Sequence, residues 1–267
     1  MNILDQIIEF KLEEVAERKS LYPVKLLEQS IYFSSPTVSL KKCLLQEDKT
    51  GIIAEIKRKS PSKGIINPHV SIERTSIGYR QAGASALSIL TDKQFFGGSN
   101  EDLTVARKYN FCPILRKEFI IDEYQIIEAK SIGADAILLI AAVLSPEAIK
   151  QFTITAHALG LEVLMEVHDG KELTLNLNSG VDLIGVNNRN LKTFEVDREI
   201  SKRLAPIIPD GVIKVSESGI ESPQAIVELK KYGFKGFLIG QTFMQHSCPE
   251  KAAMEFIREL KRVESLK

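Results

Sequence analysis

Eight short, β-rich apolar runs punctuate the chain from Gly51 onward, at residues 52–56, 86–90, 113–115, 136–140, 162–165, 183–186, 212–215 and 236–239. Most are almost continuously apolar rather than alternating, which is the pattern of parallel strands covered on both faces. They recur roughly every 25 residues, a spacing that leaves room for a crossover helix and excludes tight hairpins. The gaps carry helix punctuation. Ser145-Pro146 opens one helix that Gly160 closes, Ser222-Pro223 opens another that Gly233 closes, and Pro249 opens an amphipathic stretch through Val263. Serine suits the N-cap, proline the first helical position and glycine the left-handed turn at the far end. Eight βα units are the number that closes a parallel sheet on itself, so the pattern predicts an α/β fold, a (β/α)8 TIM barrel. An open doubly wound sheet shares the alternation, but no G-x-G-x-x-G follows any strand. Ahead of the first run, residues 2–19 read as a helix from the spacing of Ile3, Ile7, Phe10, Leu12 and Val15. Residues 20–48 are broken by Pro23 and Pro36, with a short amphipathic piece near 24–31. The expected organisation is a single barrel domain over 1–267, of which 1–48 is an N-terminal helical extension.

Charge and composition narrow the partners. The 35 Lys+Arg are matched by 35 Asp+Glu, so no cationic excess exists to neutralise phosphates, and nucleic acid is not an expected partner. The longest apolar run, 136–144, is too short to cross a bilayer, so no membrane is expected either. The acid-rich opening does not read as a signal peptide. Cys43, Cys112 and Cys248 are odd in number and far apart, while His69, His157, His168 and His246 lack ligand spacing. No disulfide, metal or cofactor is expected, and the expected location is cytoplasmic.

Barrel sites lie where strands end at their C-terminal side. Glu55 and Lys57 end the first run, two apart and hence on one face. They read either as a structural ion pair with a solvated lysine tip or as reacting groups. The third strand runs into Lys117, the fifth into Glu166, the sixth into Asn187 and Arg189, and the seventh into Glu217 and Ser218. One such residue would be an ordinary solvated charge; this many on separate strands converge on one mouth. S-E-S-G after the seventh run and I-G-Q after the eighth offer backbone N–H groups, with glycines permitting close approach, where barrels commonly hold phosphate. LTDKQFFGGS, at 90–99, suits either a mobile loop over an apolar ligand or an exposed turn with Phe95 or Phe96 in the core.

The chain carries, in this order, ILDQIIEFKLEEVAERK, IAEIKRKSPSKG, LTDKQFFGGS, LRKEFI, MEVHD, GVNNRNLKTF, SESGI and LIGQTFM. Over nearly its whole length it resembles the indole-3-glycerol phosphate synthase family, barrel lyases of tryptophan biosynthesis. The resemblance implies a phosphorylated small-molecule substrate, 1-(2-carboxyphenylamino)-1-deoxyribulose 5-phosphate. This undergoes ring closure and loses CO2 and water to yield indole-3-glycerol phosphate. By motif position, Glu55, Lys57, Lys117, Glu166 and Glu217 resemble the family's acid–base set, and Asn187 and Ser218 its polar positioners. Arg189 resembles the substrate-contacting arginine, Ser60, Gly219, Gly240 and Gln241 the phosphate-binding positions, and Phe96, Phe119 and Phe194 the pocket for the aromatic ring. A monomer is expected, with association with other tryptophan-pathway enzymes left open. Two departures are visible: Glu118 stands where Asp is usual, beside Lys117, and Gln241 stands where Ser or Glu is common. The first bears on the geometry of Lys117; the second matters little if the contact is a backbone N–H.

The chemistry agrees with these residue types. Ring closure needs an electrophilic ketone, and a protonated lysine donating toward its oxygen supplies that. Burial lowers a lysine pKa and neighbouring carboxylates raise it, so glutamate beside lysine suits a lysine acid. A Schiff-base lysine needs the neutral amine instead. An aldolase using Lys57 or Lys117 in that way is one competing reading, and a silent barrel binding phosphorylated ligands or partner proteins is another. Which lysine serves ring closure and which dehydration is open at this level. Gly240→Val is expected to raise KM by crowding the anion.

Overall fold

The computed structural model describes residues 3–191 and 193–265. Asn2 of the expected first helix and Lys192 of the GVNNRNLKTF motif lie outside the described residues. Eight parallel strands form a closed barrel: β1 (Ile52–Ile56), β2 (Ala86–Leu90), β3 (Ile114–Lys117), β4 (Ala136–Ile140), β5 (Glu162–Val167), β6 (Leu183–Asn187), β7 (Ile213–Glu217) and β8 (Phe234–Ile239). They pair in chain order, and β1 closes against β8. β3, β5, β6 and β7 each run one or two residues past their apolar runs, into Lys117, Glu166, Asn187 and Glu217. Backbone pairing continues there although hydrophobicity does not, because these side chains face a shared site rather than a core.

The near-continuous apolar runs follow from burial on both faces. Along β4, Ala136, Leu138 and Ile140 join Leu115, Leu164 and Val215 inside the barrel, while Ile137 and Leu139 pack beneath the outer helices. Helix starts match their punctuation at Pro146–Ala158, where the Ser145 hydroxyl accepts from the Ala148 N–H at 3.2 Å. At Pro223–Lys230, Ser222 holds the N-cap position without a side-chain bond. The last helix runs Pro249–Ser265.

The N-terminal segment touches both ends of the barrel. Helix Ile3–Leu21 crosses the C-terminal mouth, where Lys11 is buried between Asp92 and Glu118, 3.0 Å from each, just past β2 and β3. Arg18 and Lys19 pair with Glu128 and Asp122 on the flank helix Glu123–Ser131 and its cap. The expected amphipathic piece is helical only over Val24–Leu27, since Ser30 then turns the chain by bonding the Ser131 carbonyl. Helix Leu40–Leu45, capped by Ser39, plugs the opposite end with Leu40 and Leu44. Among the described residues, no helix is long and apolar enough to cross a membrane.

Candidate active site

A cavity of about 520 Å³ occupies the C-terminal mouth, and every candidate residue named from the sequence lines it. Leu138 and Ile140 of β4 and Leu238 of β8 give it an apolar wall, and Ile3, Leu4 and Ile7 of the first helix lean over it. Phe96 and Phe119 face one another with ring centroids 5.9 Å apart. Phe95 turns the other way, edge-on to Phe10. The loop after β2 therefore splits its aromatic pair, one for the cavity and one for the extension.

Two lysines stand here in different company. Lys57 donates to Glu55 Oε1 at 2.8 Å, and Ser88 donates to the other oxygen of Glu55 at 3.3 Å. Lys117 donates to Glu166 Oε2 at 2.9 Å and lies 3.3 Å from Glu217 Oε2. Burial alone would lower the Lys117 pKa, but Glu166, Glu217 and Glu55 outweigh it and hold the ammonium above the ordinary lysine value. Burial likewise disfavours the Glu166 anion, yet Lys117 and His168 hold it well below the usual carboxylate range. Glu217 goes the other way. Burial, with the Glu166 and Glu55 anions added, outweighs Lys117 and pushes it up to about 8. Two carboxylates on one lysine are thus split into an anion and an acid, the arrangement that acid–base chemistry near neutral pH requires.

Asn187 donates to Glu166 Oε1 at 3.1 Å, which fixes the anion from a neighbouring strand. Beneath Glu217 lies Gly185, where a Cβ would overlap Glu217 Oε1. Sequence reasoning missed Gly185, because only the register of β6 against β7 brings it under that carboxylate. It also set His168 aside for lacking metal-ligand spacing, although its position two residues past Glu166 was a legible signal. The Glu118 departure is taken up locally: Lys11, the Thr91 hydroxyl and the Phe119 N–H engage its oxygens.

The opposite rim is built of backbone. Ser218 (φ +67°) and Gly219 (φ +73°) take consecutive left-handed conformations, and a side chain on Gly219 would come within 2.5 Å of Val196. Asn188, fully buried, donates to the Ser218 carbonyl and the Ser216 hydroxyl at 3.1 Å each and so holds this turn. Across from it, Gly240 and Gln241 start a short helical turn whose first N–H groups have no intrahelical acceptor. Ser60 reaches the cavity from a small hairpin after β1. Arg189 donates to the Phe194 carbonyl at 3.0 Å, and Phe194 is itself left-handed at φ +61°. A Cβ on Gly240 would sit 2.6 Å from Glu55 Oε1 and 3.2 Å from Lys57 Nζ. A larger residue at Gly240 would therefore crowd the Glu55–Lys57 pair as well as the rim.

Fold and mouth together define a (β/α)8 barrel whose C-terminal mouth sets two lysine–carboxylate groups beside an apolar wall. Residues 4–259 match the family model for indole-3-glycerol phosphate synthase, and the chain belongs to that family. It is 48% identical over 259 residues to the indole-3-glycerol phosphate synthase of Bacteroides thetaiotaomicron, covering 97% of this chain and 99% of the relative. It is 43% identical over 261 residues to that of Caldanaerobacter subterraneus subsp. tengcongensis, with coverage of 97% and 99%. A solved chain described as "Native KDPGal structure" shares the fold, with a TM-score of 0.59 at 13% identity over 82% of this chain and 97% of that one.

Proposed function

We propose that this decarboxylating lyase converts 1-(2-carboxyphenylamino)-1-deoxyribulose 5-phosphate into indole-3-glycerol phosphate, with Lys117 as the acid of ring closure and the Glu55–Lys57 pair serving dehydration. The observation that carries the assignment is Lys117, held between Glu166 and Glu217 at an aromatic-walled cavity. The aromatic ring is assigned to Phe96, Phe119 and Phe194, and the phosphate to Ser60, Gly219, Gly240 and Gln241 on the opposite rim. Arg189, Asn187 and Ser218 orient what lies between.

In the first step the ring carbon bearing the carboxylate attacks the ketone carbon, and Lys117 gives its proton to the ketone oxygen. The aniline nitrogen becomes an iminium, which is the electron sink for the next bond to break. Loss of CO2 returns that electron pair to the ring and restores aromaticity. One proton is taken up overall, because a carboxylate has left as neutral CO2. Glu217, protonated at neutral pH and 3.3 Å from Lys117, passes it on to the lysine and regains a proton from solvent between turnovers. Dehydration then needs an acid for the departing hydroxyl and a base for a proton on the adjacent carbon. Lys57 and Glu55 fit those roles, and at 2.8 Å they restore one another by direct transfer.

A Schiff base at Lys117 fares worse, because that lysine must be neutral and Lys117 is held protonated, and trapping decides the same question for Lys57. The test is turnover of the purified chain followed by indole fluorescence, with borohydride added in a parallel sample. Product without a trapped adduct is expected; absence of product, or a reduced lysine adduct, overturns the reading. A monomer and a single domain belong to the same proposal. One chain supplies every group used, and the extension grips both ends of the barrel. Light scattering on the active species tests the first. A cytoplasmic location is proposed with them, supported by three free cysteines.

A further inference from the structure

Glu166 and Glu217 are the same residue type, sit on the same lysine and are both buried, yet the proposed reaction needs one as an anion and the other as an acid. Glu166 has the Asn187 amide and a second cation beside it, whereas Glu217 has the Glu55 anion. His168 follows β5 directly and lies on the same face as Glu166, with its side chain only 12% exposed. Its Nε2 lies 3.2 Å from Glu166 Oε1, and its Nδ1 lies 3.2 Å from Glu172 Oε2. The His168 N–H also donates to Glu172 at 2.7 Å, which locks the ring's approach. Nδ1 is hydrogen-bonded to Glu172, while Nε2 approaches Glu166 closely without a hydrogen bond, so the buried ring lies between two carboxylates, an environment that favours its charged form.

We infer that His168 is a positioning residue that assigns the two roles: as a fixed cation behind Glu166 it keeps that carboxylate ionised and leaves the pair's proton on Glu217. This rests on the proposed reaction for its catalytic meaning. The full set of facing groups supports it. Glu166 meets Lys117 from β3, Asn187 from β6 and His168 from its own strand's end, with Glu217 as its anionic neighbour. Glu217 meets Lys117, Glu166 and Glu55, and beneath it only the bare backbone of Gly185. His168 meets Glu166 and Glu172. Burial works against the charged imidazole, but the two neighbouring carboxylates outweigh it and raise its pKa to about 10. The ring thus stays charged across the range in which the enzyme would work. Removing that charge leaves Lys117 and the Asn187 amide to hold the Glu166 anion, so the proton's preference for Glu217 weakens.

His168→Gln keeps a donor and deletes the charge; His168→Lys keeps a charge. For His168→Gln, kcat should fall by about tenfold or more, with KM nearly unchanged, and the acid limb of the kcat profile should move up toward neutral pH. His168→Lys should return the limb to its original position. An unmoved limb in His168→Gln, or a His168→Lys profile that matches it, overturns the inference, since a merely structural role would not follow charge. Nitrogen NMR of the unmodified protein at neutral pH gives a second reading that needs no folded His168 variant. Its resonances are assigned by replacing His69, His157 and His246. Two protonated ring nitrogens are expected, and a neutral imidazole overturns the inference. If the unmodified enzyme makes no product, the assigned reaction fails while the nitrogen spectrum still decides the charge of His168.

Discussion

Lys117→Met removes one charge from the site and keeps most of the side chain's length. A positioned general acid contributes about 100- to 10,000-fold, which at about 1.4 kcal/mol per tenfold is about 3–6 kcal/mol on the barrier. The effect should fall on kcat, because the phosphate is assigned to the rim formed by Ser60, Gly219, Gly240 and Gln241 and the ring to the three phenylalanines. Stability should fall less than removal of one partner from a buried ion pair ordinarily costs, about 3–5 kcal/mol. That figure describes a charge left bare, and Glu166 keeps His168 at 3.2 Å and Asn187 at 3.1 Å. Glu217 leaves no second charge behind, since it already carries a proton at neutral pH. The variant should therefore fold, with a loss under about 3 kcal/mol in denaturant titration. Steady-state rates by indole fluorescence, at saturating and limiting substrate, separate kcat from KM. A folded Lys117→Met with kcat within tenfold of the unmodified chain refutes the assignment. A raised KM at unchanged kcat would make Lys117 a binding residue.

Glu217 has a folded pKa raised to about 8, above its unfolded value, so its contribution to stability is complete below the unfolded pKa and is lost as pH rises toward 8. Glu217→Gln mimics the protonated form and should gain stability relative to the unmodified chain as pH rises from about 5 to 8, by up to about 1.4 kcal/mol per pH unit. A difference independent of pH in denaturant titrations would contradict that. Gly185→Ala should lower kcat by about tenfold or more, since its Cβ overlaps Glu217 Oε1, and should leave the Kd of a phosphate-bearing analogue nearly unchanged. Loss of analogue binding in calorimetry without loss of kcat would show Glu217 to be misassigned. An analogue lacking the phosphate should bind far more weakly than its phosphorylated counterpart, and equal affinities would remove the phosphate from the rim. Turnover should survive exhaustive EDTA treatment; loss on chelation with recovery in Mg2+ would make Glu166 and Glu217 ligands instead of acid and anion.

The fold was legible because one physical demand repeats. A barrel strand is buried on both faces, so each of β1 to β8 announces itself as a short apolar run, and the runs at 52–56, 86–90 and 136–140 coincide with β1, β2 and β4. Apolar run and strand end part company on β3, β5, β6 and β7, where the side chains turn from core to cavity while the backbone goes on pairing. Hydrophobicity reports the first property and not the second, so the apolar runs stop before Lys117, Glu166, Asn187 and Glu217 although the paired strands include them. The segment 20–48 was harder for the opposite reason. Its shape depends on distant partners such as the Ser131 carbonyl, Asp135 and Glu162, which no local pattern encodes.

The site was legible as a set of residues and not as a set of roles. Residue type and strand position suffice to bring Glu55, Lys57, Lys117, Glu166 and Glu217 to one mouth, because a closed parallel barrel sends every strand end there. They do not say which glutamate is ionised. That depends on pairs set by register: Asn187 beside Glu217 across β6 and β7, Gly185 two residues earlier on β6, and Glu166 facing Gly185 across β5 and β6. A shift of one residue between those strands would turn Gly185 out of the barrel and put its outward-facing neighbour beneath Glu217. His168 belongs to the same class of information. Two residues past Glu166 it shares a face with it, but its charge comes from Glu172, which the chain returns to the ring through a helical turn over Gly170–Leu175. The chemistry of two identical side chains is therefore written in their neighbours, at positions whose own residue types, a glycine and a lone histidine, carry no catalytic signature.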